Sequence, residues 1–188
     1  MMTISPRNFI LPAVLASSIC LAILSVTVNN GFAQQAAPPT AIAESDLKIP
    51  TKQLSSKFPE SIQKWKMIIE SSAAESGLDP NLVAAVMLQE SGGDPQAYSA
   101  SGAVGLMQIM PKDGIASEFI CGNSPCFYNR PTTNELLDPF FNIQFGSDYL
   151  ADLVGLKGSE REALLSYGPM DMGYRYADIV LAIYENYR

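Results

Sequence analysis

Apolar residues recur at helical spacing along most of the chain from residue 59 onward. Ile62, Trp65 and Ile69 begin this pattern, and Gly77 interrupts it. Later stretches repeat the three- and four-residue spacing, so the pattern predicts five helices. These run from Pro59 to about Ser76, from Asn81 to Ser91, from Asp138-Pro139 through Leu153, from Ser159 to Tyr167, and from about Tyr176 to Tyr184.

The residues that flank these stretches support the predicted helix ends. Asp79-Pro80 and Asp138-Pro139 each combine an N-cap side chain with proline at the first helical position. Ser159 followed by Glu162 has the spacing of a capping box. No stretch alternates apolar and polar residues as a strand would. We therefore expect an all-α fold, with functional loops at about 92–104 and 111–135.

The N-terminal part of the chain has a different pattern. Arg7 precedes a long apolar run, and Gly31-Phe32-Ala33 resembles a cleavage site, so residues 1–33 are predicted to be a secretory signal peptide. The run is also long enough to remain as a membrane anchor. Residues 34–57, rich in Gln, Ala, Pro, Ser and Thr, are predicted to form a disordered tether. Residues 58–188 then form one domain, which we expect in the periplasm or cell envelope.

Composition removes several classes of chemistry. The 188 residues contain no histidine, which excludes a Ser-His-Asp triad, a Cys-His pair and an HExxH zinc site. The formal net charge is −7, with no cluster of Lys or Arg, so nucleic acid is not an expected partner. We expect no metal and no cofactor. Acid–base chemistry falls to carboxylates, Lys, Tyr or Cys.

Glu90 is the most informative of these carboxylates. It lies seven residues after Val83 and four after Val86, on the same apolar face of the predicted helix. Partial burial and the negative end of the helix dipole both disfavour a charged carboxylate, so the pKa of Glu90 should rise. The sequence leaves open a simpler role, in which Glu90 caps the helix or pairs with a lysine.

The cysteines give a second structural prediction. Cys121 and Cys126 flank Gly-Asn-Ser-Pro, a segment that can turn tightly enough for a small disulfide loop in an oxidising compartment. A pair of free thiols is the alternative.

Three motifs follow one another along the chain, beginning at Glu90. Glu90-Ser91-Gly92-Gly93 and Ser99 come first, then the stretch from Gly102 to Pro111 that contains Gly105-Leu106-Met107-Gln108, then Ser166-Tyr167-Gly168. Together they resemble the soluble lytic transglycosylase (SLT) family, goose-lysozyme-like enzymes that cleave the glycan strands of peptidoglycan. The resemblance covers roughly residues 58–188 and implies a lysozyme-like helical domain with a substrate groove.

The resemblance also implies the roles of individual residues. Glu90 would be the only catalytic acid and base, Ser99 and Tyr167 would form hydrogen bonds near its carboxylate, and Gln108 and Met110 would line the sugar groove. Ser91 would either support catalysis or bond the helix end. The sequence departs from the family pattern at Gly168, where the family usually has Asn, and near Met172, where it often has Glu.

The implied reaction is cleavage of the β-1,4 bond between N-acetylmuramic acid (MurNAc) and N-acetylglucosamine (GlcNAc), with formation of 1,6-anhydro-MurNAc. One alternative is hydrolysis of the same bond, with Asp94 or Asp113 positioning a water molecule. Another is a non-catalytic peptidoglycan-binding module. We expect a monomer that acts on glycan strands, and a cell-envelope assembly or secretion complex is a candidate partner.

Overall fold

The computed structural model describes residues 52–188. The predicted signal peptide or anchor, residues 1–33, and residues 34–51 of the predicted tether lie outside this range. Seven α-helices and one two-stranded hairpin are found in the described part of the chain. The helices are α1 Glu60–Gln63, α2 Lys66–Ser76, α3 Pro80–Ser91, α4 Thr133–Leu136, α5 Pro139–Lys157, α6 Glu160–Tyr167 and α7 Tyr174–Tyr187.

The all-α prediction is confirmed, and α3, α5 and α6 begin at the predicted caps. The Asp79 side chain accepts a hydrogen bond from the backbone N–H of Asn81 at the start of α3. Asp138 does the same for Phe141 at the start of α5, and Ser159 for Glu162 at the start of α6. Each side chain satisfies a backbone donor that has no partner within the helix.

The helix predicted from Pro59 to about Ser76 is divided in two. Between α1 and α2, Trp65 leaves the helical conformation, with φ −98° and ψ 3°. Its indole Nε1 donates to the carbonyl oxygen of Gly93 at 3.1 Å. A side chain that bonds a distant loop is a tertiary contact, which helical spacing alone cannot reveal.

The folded domain begins before the predicted boundary at residue 58. Leu54 is only 3% exposed, and its backbone N–H donates to Glu70 at 2.8 Å. The N–H of Ser55 donates to the Asn81 side chain, also at 2.8 Å. Residues 52–57, assigned to the tether by composition, therefore pack against the domain because one isolated leucine enters the core.

The core surrounds α3, in which every residue from Pro80 to Met87 is buried. Helix α3 packs against α7 and α2, while α5 packs against α2 and α6. This arrangement places the last turn of α3 beside α6 and α7. Among the described residues, no helix is both long and apolar enough to cross a membrane.

The segment between α3 and α5 is mostly loop, as predicted, with short regular pieces. A 3-10 turn covers Gly114–Glu118. Strands β1, Ile120–Cys121, and β2, Ser124–Pro125, then form an antiparallel hairpin, which the sequence did not predict because each strand has only two residues. Cys121 and Cys126 form a disulfide across this hairpin.

Candidate active site

Glu90 lies in the last turn of α3, where the helix leaves the core. Val83, Val86 and Met87, on the same face, are completely buried, and Glu90 itself is partly buried. Burial raises the pKa of Glu90 to about 7, and a hydrogen bond from Tyr176 opposes part of this rise. The carboxyl group can therefore hold a proton near neutral pH, as the position of Glu90 on an apolar face predicts.

The hydroxyl of Tyr176 donates to Oε1 of Glu90. Tyr176 belongs to α7, is 2% exposed, and has a pKa raised by burial and by the nearby Glu90 charge, so it remains a proton donor. In the sequence it appeared only as one apolar position of the last helix. The signal that could have identified it is chemical, because a buried tyrosine hydroxyl requires a hydrogen-bond partner.

Gly168 makes room for this tyrosine. A Cβ atom at Gly168 would lie 2.3 Å from the ring of Tyr176, far inside van der Waals contact. The backbone of Gly168 has φ −72°, so the glycine is needed for space and not for its conformation. The family usually has Asn at this position, and the Cβ of an Asn here would clash with the Tyr176 ring in its present position.

Tyr167 lies near Glu90 but bonds elsewhere. Its hydroxyl donates to the carbonyl oxygen of Met107 at 2.8 Å, and its ring packs on Tyr149 with centroids 5.5 Å apart. Burial and then the Glu90 charge raise the pKa of Tyr167, so its hydroxyl stays protonated. The tyrosine links α6 to the loop that follows α3.

Ser99 forms its hydrogen bonds with the backbone of its own loop. Its Oγ accepts from the backbone N–H of Ala103 at 2.9 Å, and its own N–H donates to the Ala103 carbonyl. These bonds close a tight loop. Within it the Ser99 hydroxyl oxygen already accepts from a backbone N–H. In the structure Ser99 shapes the loop near the site, and the hydroxyl bonded to Glu90 is that of Tyr176.

Gln108 has an unusual backbone conformation, with φ 47°. Its side-chain Nε2 donates to the carbonyl oxygens of Ala97 at 3.1 Å and Gly105 at 3.0 Å. The amide nitrogen is therefore used by the loop, and the amide oxygen is the group left to accept from a ligand. Met110 is partly exposed, whereas Met107 is fully buried and fills the core.

Asn142, on α5, anchors this loop and was not identified from the sequence. It is completely buried, its Nδ2 donates to the carbonyl oxygens of Val104 and Leu136, and its Oδ1 accepts from the N–H of Met107. Gly105 permits the close approach, because a Cβ there would lie 2.4 Å from Nδ2 of Asn142.

Ser91 has a helix-end role in the structure. Its Oγ donates to the carbonyl oxygen of Leu106 at 2.8 Å and accepts from the N–H of Gly93 at 3.1 Å. Of the two roles that the sequence left open, the contacts of Ser91 match the structural one. The residue ties the end of α3 to the loop that carries Gln108.

The two acids considered as partners of Glu90 are engaged in loop structure. Asp94 accepts from the N–H of Gln96 at 2.9 Å. Asp113 accepts from the N–H and the hydroxyl of Thr133, at 2.8 and 2.7 Å, and the Thr133 hydroxyl is the main cause of its lowered pKa. Asp94 stabilises a turn, and Asp113 joins its loop to the start of α4.

Comparisons with known proteins identify related sequences. The transglycosylase SLT domain family matches residues 67–169. Proteins named endo-type membrane-bound lytic murein transglycosylase A, from Klebsiella pneumoniae and Salmonella enteritidis, are each 38% identical over 90 residues. The matched stretch covers 48% of this chain and 43% of each relative, so the chain spans less than half the length of these relatives.

A solved structure is also similar. The X-ray structure of an inactive mutant of the lytic transglycosylase Slt from Pseudomonas aeruginosa superimposes with a TM-score of 0.53 at 23% identity. The similarity covers 69% of this chain and 24% of that one. At this level of identity the likeness establishes the fold.

Proposed function

The chain belongs to the transglycosylase SLT domain family, and on this premise we propose that it is a peptidoglycan lytic transglycosylase. Its substrate would be the β-1,4 bond between MurNAc and GlcNAc. The observation that carries the proposal is the environment of Glu90. Its carboxyl group is partly buried, has a pKa of about 7 and is held by the hydroxyl of Tyr176.

In the first step Glu90 acts as a general acid. Its proton passes to the glycosidic oxygen as the bond from that oxygen to C1 of MurNAc breaks. Tyr176 bonds Oε1, which leaves Oε2 to face the leaving oxygen. As the carboxylate forms, the hydrogen bond from Tyr176 becomes charge-assisted and stabilises it.

In the second step the carboxylate of Glu90 acts as a base. It removes the proton from the 6-hydroxyl of the same MurNAc, whose oxygen bonds to C1 and closes the 1,6-anhydro ring. One bond to C1 breaks and one forms, Glu90 recovers its proton, and no water is consumed. The nucleophile comes from the substrate.

Within residues 52–188, neither acid considered for a second catalytic role is free, which favours this route over hydrolysis. Most glycosidases use two carboxylates, one of which acts as a nucleophile or positions a water molecule. Asp94 and Asp113, the candidates for that role, are hydrogen-bonded to loop backbone and to Thr133. A single carboxyl group that changes between acid and base suits an internal nucleophile.

We place the protein in the cell envelope, where its substrate lies. The predicted signal sequence in residues 1–33 supports export, and the relatives are named as membrane-bound murein transglycosylases. Recognition would depend on the groove between the α3 end and the loop from Ser99 to Met110. We expect the enzyme to work as a monomer without a cofactor, and a cell-envelope complex remains a candidate partner.

The test combines one substitution with product analysis. Glu90→Gln keeps the size and an acceptor for Tyr176 but cannot transfer the proton, so we expect strand cleavage to fall at least about a thousandfold with folding intact. Glu75→Gln, at an exposed acid on α2, is the matched control and should cleave like the wild type. Cleavage is measured by mass spectrometry of digested peptidoglycan.

The mass of the products separates the alternatives. A transglycosylase releases anhydro-muramyl ends, which are lighter than hydrolysed ends by one water molecule. Release of reducing ends alone would identify a hydrolase. Equal cleavage by the wild type and Glu90→Gln would contradict a catalytic role for Glu90, whereas no cleavage by either protein would leave a binding module as the function.

A further inference from the structure

A cavity lies near the candidate active site, between the disulfide-closed hairpin and α5. Its volume is about 360 Å³. Helix α5 contributes Phe145, Asp148, Tyr149 and Asp152, which fall on one face at three- and four-residue spacing. The segment after the hairpin contributes Phe127 and Arg130, among others.

Arg130 is held in place by aromatic rings. Its guanidinium carbon lies 3.8 Å from the ring centroid of Tyr149 and 5.8 Å from that of Phe145. Stacking of this kind fixes the plane of the guanidinium while leaving its N–H groups directed outward. Arg130 is therefore preorganised for a planar anion such as a carboxylate.

The charges that line the cavity do not neutralise one another. Among residues 52–188 the ion pairs are those of Lys52, Lys66, Arg161 and Arg188, so Arg130 is in none of them, and neither is Asp148 nor Asp152. Asp148 accepts hydrogen bonds from Ser76 and Gln144, whereas Asp152 is exposed beside the cavity. One cavity thus presents a cation and carboxylates that are not paired with one another.

The cavity is connected to the candidate active site through two tyrosines. Arg130 packs on Tyr149, Tyr149 packs on Tyr167, and Tyr167 lies close enough to Glu90 for electrostatic interaction. Burial, and then the Glu90 charge, raise the pKa of Tyr167, whereas the Arg130 charge lowers it. Tyr167 therefore lies between the two sites, which are two aromatic rings apart.

We propose that this cavity binds the peptide stem of peptidoglycan, with a stem carboxylate on Arg130 and a stem amino group facing Asp152. This inference rests on the proposed function, which supplies the substrate class. The N-acetylated sugars of the glycan are neutral, and the charges of the polymer are on the peptides attached to the lactyl group of MurNAc. A site with unpaired charges of both signs suits the peptide better than the sugars.

The aromatic surface of the cavity adds contact for small apolar groups. Phe127, Phe145 and Tyr149 surround the charged residues, and an alanine methyl group of the peptide can pack against them. Selection of the peptide would then depend on its charged groups at both ends and on a small apolar group between them. The enzyme would distinguish strands that carry peptides from strands that have lost them.

The test measures binding directly and does not depend on cleavage. The probe is the free stem peptide released from peptidoglycan by an amidase, titrated calorimetrically into the full chain. We expect the wild type to bind it, and Arg130→Gln to bind at least tenfold more weakly. Lys157→Gln removes one positive charge from an exposed position on α5 outside the cavity and should bind like the wild type.

Modified peptides show which charged group of the peptide binds Arg130 and which binds Asp152. Conversion of the carboxylates to amides should weaken binding to the wild type at least tenfold, and this loss should be absent in Arg130→Gln. Asp152→Asn, at an exposed position where folding is not at risk, should weaken binding of the peptide with a free amine severalfold. It should leave binding of the N-acetylated peptide unchanged.

Other outcomes overturn the proposal. It is wrong if the wild type does not bind the peptide at millimolar concentration, or if Arg130→Gln and Asp152→Asn both bind like the wild type. Peptide binding without strand cleavage would count against the proposed catalytic function only. Strand cleavage without peptide binding would count against this cavity only.

Discussion

The last turn of α3 and the disulfide-closed hairpin differ in how their side chains are held. Glu90 follows a fully buried face of α3 and is bonded by a tyrosine from another helix. The hairpin exposes its apolar groups, with Ile120 62% exposed, and is closed by the Cys121–Cys126 disulfide. The Glu90 carboxyl group is thus positioned by distant parts of the core, whereas the cavity wall at the hairpin is positioned by local covalent closure.

This difference predicts where a substitution acts. Changes in the packed region should alter the stability of the whole domain, because its contacts join residues far apart in sequence. Changes in the hairpin should act locally, because its contacts join near neighbours. Three substitutions test this comparison, in order of decreasing expected effect on stability.

The largest effect is expected from Asn142→Ala. The substitution leaves the N–H of Met107 without its partner in the core. It also removes the side-chain donor to the carbonyls of Val104 and Leu136, of which Val104 still accepts from the N–H of Ile109. We expect the free energy of unfolding to fall by about 3–5 kcal/mol, since buried unsatisfied groups and a cavity add together. Urea unfolding measures it. An exposed asparagine on α4, Asn134→Ala, is the control and should change stability by less than about 0.5 kcal/mol.

Hydrogen exchange at the N–H of Met107 locates the effect. If Asn142→Ala unfolds like the wild type and this N–H stays protected, the loop is not held by the buried amide. The packed region would then resemble the hairpin in depending on local contacts.

The second effect depends on pH and comes from Glu90→Gln. The pKa of Glu90 is about 7 in the folded protein against 4.5 for a free side chain, so the folded state holds a proton more tightly. Stability from this group is complete below about pH 4.5 and is lost as pH rises through about 7. Above that range the charged carboxylate costs about 3 kcal/mol, which glutamine avoids.

Urea unfolding of both proteins at about pH 5 and about pH 8 checks the sign. We expect Glu90→Gln to be more stable than the wild type at the higher pH and to differ much less at the lower. Glu75→Gln should show no such dependence. A stability difference between the wild type and Glu90→Gln that does not change with pH would place the carboxyl group in solvent instead of the core.

The smallest effect is expected from replacing both cysteines. The disulfide closes a loop with a sequence separation of only 5, so its loss should lower stability by at most about 2 kcal/mol. The main effect of the double variant, Cys121→Ser and Cys126→Ser, should be local. We expect a chymotrypsin-like protease to cleave it faster after Phe119 and Phe127. Mass spectrometry of the fragments gives the sites. If the double variant were cleaved within α3 at the same rate as after Phe119 and Phe127, the hairpin and the core would not open independently.

Much of the secondary structure follows from short-range patterns. Asp79, Asp138 and Ser159 cap helices where their positions in the sequence predict, because a cap involves residues two or three apart. Leu54 and Trp65 were misassigned, because each makes its main contact with a distant residue. The small hairpin was missed because its strands are shorter than any detectable alternation.

The candidate site likewise has features that follow from short-range patterns and features that depend on distant contacts. Helical spacing placed Glu90 on the apolar face of α3, and burial raises the pKa of this residue. The partner of its carboxyl group could not be read from spacing, because Tyr176 is 86 residues away. The hydrogen bonds of Ser99, Gln108 and Tyr167 likewise depend on where the backbone of the loop lies.

By itself the sequence determined the helices, the face on which Glu90 lies and the family to which the chain belongs. Each depends on patterns within a few turns of helix or on short motifs. Only the tertiary structure decided that Tyr176 holds the carboxyl group, that Gly168 leaves space for its ring, and that Asn142 fixes the loop. The reason is physical: burial, and the pKa of a group, depend on neighbours brought together by the fold.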